Sequence, residues 1–203
     1  MKKTLLAVAA LCALTSGAAM AQQQDGKWQV RVRAVHLDSA NKDSTGLDLS
    51  VNDKVIPELD ISYYFTPNFA AELILTYPQK HNVRAGDVKI GSLKHLPPTL
   101  LAQYHFTNFG AFKPYVGAGI NYTRFSSVKF DPAVEAALDP SIKKNSWGGA
   151  LQVGFDYALD KNWSINFDVK KVYIATDVYS FGAKVGKFKV DPLLVGVGVG
   201  YRF

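Results

Sequence analysis

The sequence predicts an all-β protein: an eight-stranded antiparallel transmembrane β-barrel with short periplasmic turns, four long extracellular loops and a short helix in the third long loop. Three observations predict it. First, the final stretch Leu193 to Phe203 (LLVGVGVGYRF) places Leu193, Val195, Val197, Val199, Tyr201 and Phe203 on one face and Gly196, Gly198, Gly200 and Arg202 on the other. That is a strand with lipid on one side; under a soluble core, three alternate glycines would pack poorly. Second, Lys2 and Lys3 precede an apolar stretch from Thr4 to Leu14, and Ala19-Met20-Ala21 offers small residues for cleavage. Residues 1–21 therefore read as a secretory signal cut before Gln22, and 22–203 as one barrel domain. Third, beyond the signal no apolar run reaches the roughly eighteen residues of a spanning helix, although 48% of the residues are hydrophobic.

Cys12 lies inside the signal, after Leu11 rather than a small residue, so lipoprotein processing is not expected. The mature chain then has no cysteine, which excludes disulfides and thiolate chemistry. Losing Lys2 and Lys3 lowers the formal charge from +6 to +4. A surplus that small and dispersed, on an exported chain, excludes a nucleic-acid partner.

Eight alternating segments can be placed in order at residues 26–37, 57–66, 69–78, 98–107, 113–125, 146–159, 162–177 and 189–203. Each reaches the roughly nine to eleven residues of a tilted spanning strand. The turns at Thr66-Pro67-Asn68, 108–112 and Asp160-Lys161-Asn162 are short, while the connections 38–56, 79–96, 126–145 and 178–188 are long and polar. With both termini on the side of the short turns, the short turns face the periplasm and the long loops face outside. In the third loop, Asp131 is a good N-cap and Pro132 suits a first helical turn, so a helix is expected over Ala133 to Leu138.

The outward face gathers residues such as Val30, Val32, Ile61, Leu73, Leu100, Ala118, Ile120, Val153 and Ile165, with aromatics at the strand ends as interfacial girdles. Lys171 breaks the pattern: it either snorkels at the outer interface or marks a bulge.

Inward charges cluster toward the periplasmic half. Arg31, Arg33, Lys170 and Arg202 meet Asp60, Glu72, Asp156 and Asp168, among Gln103, His105, Asn121, Gln152 and Asn166. The lumen of an eight-stranded barrel is narrow enough for side chains to fill, so these residues should form a paired plug rather than an aqueous pore. Above it the inward residues turn apolar: Val35, Leu37, Ile74, Leu101, Phe125, Ala150, Val172 and Leu194. A dry pocket open to the exterior is expected. Inward glycines (Gly117, Gly119, Gly148, Gly154, Gly196 and Gly198) should leave it volume, unless they serve only curvature and closure.

HLPPTLLAQYHF at His95 to Phe106, KPYVGAGINYTRF at Lys113 to Phe125, SWGGALQVGFDY at Ser146 to Tyr157 and the final YRF resemble the outer membrane protein W (OmpW) family. The likeness runs from about Trp28 to Phe203, and the first, third and fourth long loops diverge. It implies a barrel of the Gram-negative outer membrane whose hydrophobic channel admits small hydrophobic compounds and discharges them sideways into the membrane above the plug. Pro97 and Pro98 fit such an exit, because neither can donate a ladder hydrogen bond. The likeness also implies lipid and lipopolysaccharide around a monomer, and loops open to phage or bacteriocins. Tyr201 and Phe203 resemble the signal read by the barrel-assembly machinery. The alternative is a structural or receptor barrel acting through its loops without transport.

No cofactor or metal is expected. His36, His81, His95 and His105 lack acidic partners at ligand spacing, so structural or solvent-exposed roles are assigned. A triad of Ser62 or Ser164 with His105 and Asp156 is conceivable on paper, but it would lie in the plug, where no acyl chain arrives; Ser126 and Ser146 have no histidine beside them. An enzyme is not expected.

Overall fold

A computed structural model describes residues 26–203, so the signal assigned to 1–21 and its cleavage before Gln22 lie outside the described residues. The first half runs β1 (Trp28–Asp38), β2 (Lys42–Asp43), β3 (Leu49–Val51), β4 (Lys54–Tyr64), β5 (Phe69–Leu75), β6 (Gln79–Ala85), β7 (Val88–Leu96) and β8 (Thr99–His105). The second half runs β9 (Phe112–Phe130), α1 (Pro132–Leu138), β10 (Pro140–Ile142), β11 (Asn145–Ala158), β12 (Trp163–Val172), β13 (Ala175–Ser180), β14 (Ala183–Lys189) and β15 (Leu193–Arg202). Eight of these strands close a barrel in the order β1-β4-β5-β8-β9-β11-β12-β15, every pairing antiparallel, with β15 returning to β1. Trp28 and Phe203 exchange backbone hydrogen bonds of 3.0 and 2.8 Å at that seam.

Alternation builds the wall. Val32, Ile120, Val153 and Val197 are all more than half exposed, whereas Arg31, Arg33, Val35 and Leu101 are buried. Edge-to-face pairs Trp28–Tyr63, Phe69–Tyr104 and Trp163–Tyr201, with centroids 4.9 to 5.2 Å apart, ring the periplasmic end. Tyr122 against Trp147, with Tyr77 and Tyr173, marks the outer end. In the turn after β11, the Asp160 carboxylate accepts the N–H groups of Asn162 and Trp163, both at 2.7 Å.

Two expectations need correction, and the choice left open at Lys171 falls to the first alternative. The segment 162–177 is two strands, β12 and β13, because the wall ends at Val172 and the chain then enters another sheet. Lys171 needs no bulge: its register with Leu151 and Leu193 is unbroken, and its ammonium reaches up to the Asp191 carbonyl. The long connections are not simply polar loops. Strands β7, β6 and β3 continue the wall upward from the end of β9, and β10, β13, β14 and β2 form a second sheet. The 19 residues of β9 extend roughly 60 Å, more than a bilayer core of about 30 Å needs even at a tilt of about 45°. Leu49, Val51, Val83, Leu93, Val178 and Phe188 are buried in this upper storey. Helix α1 forms as expected with Pro132 in its first turn, but the Asp131 side chain makes no capping bond. Its carbonyl accepts from Val134 and Glu135 instead.

The inward glycines do not hollow out the barrel. A Cβ at Gly119 would strike the Leu100 carbonyl oxygen, one at Gly148 that of Tyr173, and one at Gly198 that of Val32. These strands therefore approach one another more closely than any side chain allows. Gly119→Val is expected to prevent closure, read as loss of the fast-migrating folded band on an unheated gel, whereas Ala118→Val on the lipid face should leave that band intact.

Candidate functional site

Two neighbouring inward positions of β1 organise the lumen. The Arg31 guanidinium pairs with Glu72 at 2.9 Å and Asp156 at 2.6 Å, and donates to Ser62 Oγ at 2.8 Å. Arg33 pairs with Asp60 at 2.5 Å and with Glu72 and Asp168 at 2.8 Å. Lys170 pairs with Asp168 at 2.9 Å and with Glu58. The Gln152 amide donates to Glu72 at 2.8 Å and accepts from Gln103 at 2.8 Å. Tyr115 OH donates to Asp168 at 3.1 Å, and the Asn166 amide to Asp156 at 2.9 Å. Cations in a medium of low dielectric persist only when matched by anions, and Arg31, Arg33 and Lys170 each have at least two carboxylates within ion-pair distance.

Arg202 lies at the periplasmic rim, its guanidinium 3.6 Å above the Tyr64 ring and its Nε donating to the Gly26 carbonyl at 2.6 Å. Sequence reasoning missed Glu58, Tyr64 and Tyr115. Glu58 and Tyr64 share their parity with Asp60 on β4, which was the available signal. Tyr201 and Phe203 point outward and are exposed.

Above Glu58 and Lys170 lies a cavity of about 420 Å³, counting its open mouth. Leu37, Ile74, Val172 and Leu194, all named from the sequence, are on its wall with Ile56, Ile174 and Pro97. Val35, Leu101 and Phe125 are buried in the same apolar cluster but are not on the wall, and neither is Pro98. A second cavity, of about 570 Å³ when its open mouth is likewise counted, lies higher, between the two loop sheets. Leu49, Val83, Leu93 and Phe188 line it, and Val134 and Leu138 of α1 overhang it.

The wall beside the lower cavity has a gap in its ladder. Pairing between β5 and β8 stops at Ile74–Thr99, and pairing between β6 and β7 begins at Gln79–His95. Between them, 75–78 faces 96–98, where Pro97 and Pro98 have no N–H to offer. On its far side the segment is held, since Tyr122 N–H donates to the Pro98 carbonyl at 3.1 Å and the Asn121 amide to those of Pro97 and Pro98 at 3.2 Å. Thr76 and Pro97, on either side of the gap, both line the cavity.

The four histidines take exposed or structural places. His36 is exposed, but His81 and His95 are buried and stacked, centroids 4.7 Å apart and 13° from parallel, because both face inward on the β6–β7 hairpin. His105 is held between Tyr64 and Tyr115, with Nε2 3.1 Å from Gln103, while Ser62 accepts from Arg31 and Ser164 from Gln29. The paper triad is therefore not assembled. Among the described residues no three His, Cys, Asp or Glu side chains converge as a metal site. His95 pairs with Phe125, three residues beyond the Tyr122 girdle, so it lies outside the membrane. Burial, followed by repulsion from His81 and Lys54, pushes its pKa down from 6.5 to about 3.

Residues 22–203 match the OmpW family. Among curated proteins, the chain is 49% identical to the outer-membrane protein y4mB of Sinorhizobium fredii over 87% of this chain and 80% of that one. It is 36% identical to outer membrane protein W of Vibrio cholerae over the whole of both. It is also 26% identical to the dibenzothiophene metabolism operon protein PahQ of Pseudomonas aeruginosa, covering 83% of this chain and 80% of that one. Among solved structures, OprG of Pseudomonas aeruginosa superposes with a TM-score of 0.76 at 28% identity, covering 91% of this chain and 99% of OprG.

Arg31→Met strips Glu72 and Asp156 of a buried cation and is expected to cost about 3–5 kcal/mol, read from the urea unfolding midpoint in lipid vesicles. His95 binds a proton more readily unfolded than folded. Its contribution to stability is therefore complete above about pH 6.5 and falls as the pH drops from there toward 3. Hydrogen-exchange protection factors of the Val83 and Leu93 amides, taken relative to the intrinsic rate at each pH, should fall between pH 7 and 5, and the fall should be smaller in His95→Phe.

Proposed function

We propose that this chain, which belongs to the OmpW family and resides in the outer membrane, admits small hydrophobic molecules from outside and releases them sideways into the bilayer. The observation that carries this reading is the lower cavity: apolar walls, a charged floor, and a side where the strand ladder lapses. A solute that leaves water for such walls gains roughly 25 cal/mol for every Å² of apolar surface it buries. Below it, the interlocked Arg31, Arg33 and Lys170 pairs leave a hydrophobic molecule no path to the periplasm. The gap at Pro97 and Pro98 opens at the level of the Tyr122 girdle, beside the edge of the lipid, so escape there would cost little exposure to water.

Likeness to a protein named for a dibenzothiophene metabolism operon supports the reading, since dibenzothiophene is itself a small apolar molecule. The functional roles follow from placement. Leu37, Ile74, Val172 and Leu194 would touch the cargo, Val35, Leu101 and Phe125 would back that wall, and Glu58 and Lys170 would set its lower limit. Pro97 and Pro98 would frame the exit.

The test compares the entry of octane with that of a polar solute of similar size, in cells lacking the protein and in cells expressing it. Octane entry alone should rise. Ile74→Asp should lower that entry by about tenfold by placing a charge against the cargo, with folding checked by gel mobility. Pro97→Ala with Pro98→Ala returns two N–H donors to the gap and should slow entry while the cavity stays intact. No rise for octane in cells bearing folded barrel would remove transport altogether, and an unchanged rate in the alanine variant would remove the lateral exit alone.

A further inference from the structure

Between the two cavities the apolar lining is interrupted. Gln79 and His81 face inward two residues apart on β6, and His95 lies opposite Gln79 on β7. Gln79 and His81 are fully buried and His95 is 1% exposed. The next inward residues along the hairpin, Val83 and Leu93, line the upper cavity, whereas His95 and Thr76 line the lower one. Along the hairpin this polar belt therefore lies between the two cavities.

Its bonding is incomplete in a specific way. The Gln79 amide nitrogen donates to Thr76 Oγ1 at 3.1 Å and to the Tyr77 carbonyl at 3.0 Å, which leaves Oε1 as the free end of the amide. His81 Nδ1 is 2.8 Å from the Asn52 carbonyl. A carbonyl only accepts, so Nδ1 carries the proton and Nε2 is the acceptor of a neutral ring. Gln79 Oε1, His81 Nε2 and His95 Nε2 are all buried and meet no hydrogen-bond partner among the described residues. Buried polar atoms are ordinarily paired, because each one left unmade forfeits its hydration. Three such atoms on one inward hairpin face are an open demand for a hydrogen-bonding group.

We infer that Gln79, His81 and His95 form a subsite for the hydroxyl group of an amphipathic cargo, a neutral alcohol or phenol whose apolar part occupies the cavities above or below. A hydroxyl donates to Gln79 Oε1 or His81 Nε2 and accepts from His95 when that ring carries its proton on Nε2. An ether oxygen can only accept, so two of the three positions reject it. A carboxylate is repelled by the acceptors and would also bring an uncompensated charge into apolar surroundings. The subsite rests on the hydrophobic-uptake reading and narrows it: the belt passes plain hydrocarbon and retains hydroxylated molecules.

Octanol and its isomer heptyl methyl ether separate the two claims, since they contain the same atoms and only the alcohol donates. Both are titrated into the full barrel in lipid nanodiscs, and the histidine ring nitrogens are followed by NMR. Octanol is expected to bind about fivefold more tightly than the ether, the ratio that one net hydrogen bond supports. It should also shift the acceptor nitrogen of His81, a signal assigned by its loss in His81→Phe. That variant keeps an aromatic ring against His95 and should narrow the difference between the two affinities, as should Gln79→Leu, and the two substitutions together should abolish it. Equal affinities in the wild type, or an octanol preference that survives both variants with no histidine shift, overturns the subsite while leaving hydrophobic uptake standing. Failure of both probes to bind overturns the uptake reading and the subsite together.

Discussion

Two arginines on one strand hold this barrel to a single arrangement. Arg31 and Arg33 project from β1 into a lumen closed to water, where an unmatched charge is prohibitive, and they find their anions on four other strands: Asp60 on β4, Glu72 on β5, Asp156 on β11 and Asp168 on β12. Half the circumference is thereby tied to one element. A shift of β1 by one residue would turn both guanidinium groups into lipid. Hydrophobic alternation alone would tolerate a slip of two residues, but the paired charges would not. Register and plug are the same constraint seen from outside and from inside.

The rest of the lumen follows from where that network ends. Lys170 and Glu58 are its uppermost members and also the floor of the lower cavity, so the polar and apolar halves meet at one ion pair. Above it the chain has no further charges to bury, and Leu37, Ile74, Val172 and Leu194 keep the space dry. The wall then continues beyond the membrane as hydrogen-bonded sheet, which lets a buried apolar interior persist into the aqueous exterior. Separate flexible loops could not shelter Leu49, Val83 and Phe188 from water in this way.

The barrel was legible because lipid demands an uninterrupted rule: every second residue from Val30 to Ala34, or from Leu193 to Phe203, had to be apolar. The plug was legible for the same reason, since any charge of opposite parity had to point inward. Glu58 was missed where Pro57 obscured the start of the strand, and Tyr115 because a tyrosine serves a girdle as readily as a lumen. The upper storey was hidden because its outward face meets water. Lys80, Asn82 and Arg84 look like loop residues, and their inward partners Gln79 and His81 are polar, so only Val83 betrayed a strand. Parity also says nothing about depth or coverage. Val35 was rightly turned inward, yet it packs against Gly196, and its methyl groups occupy the room that the glycine leaves.

Those glycines bear on what the lumen can accommodate. Where Gly119, Gly148 and Gly198 let neighbouring strands come closer than a methyl group permits, the perimeter has no slack, and the charged network beneath resists prying them apart. On the proposed uptake route, a molecule entering from above would therefore be unable to enlarge its own berth. Slender chains and flat rings would fit by aligning with the barrel axis and a bulky branched hydrocarbon of the same mass would be turned away at the mouth, so girth rather than weight or oiliness would set the entry limit.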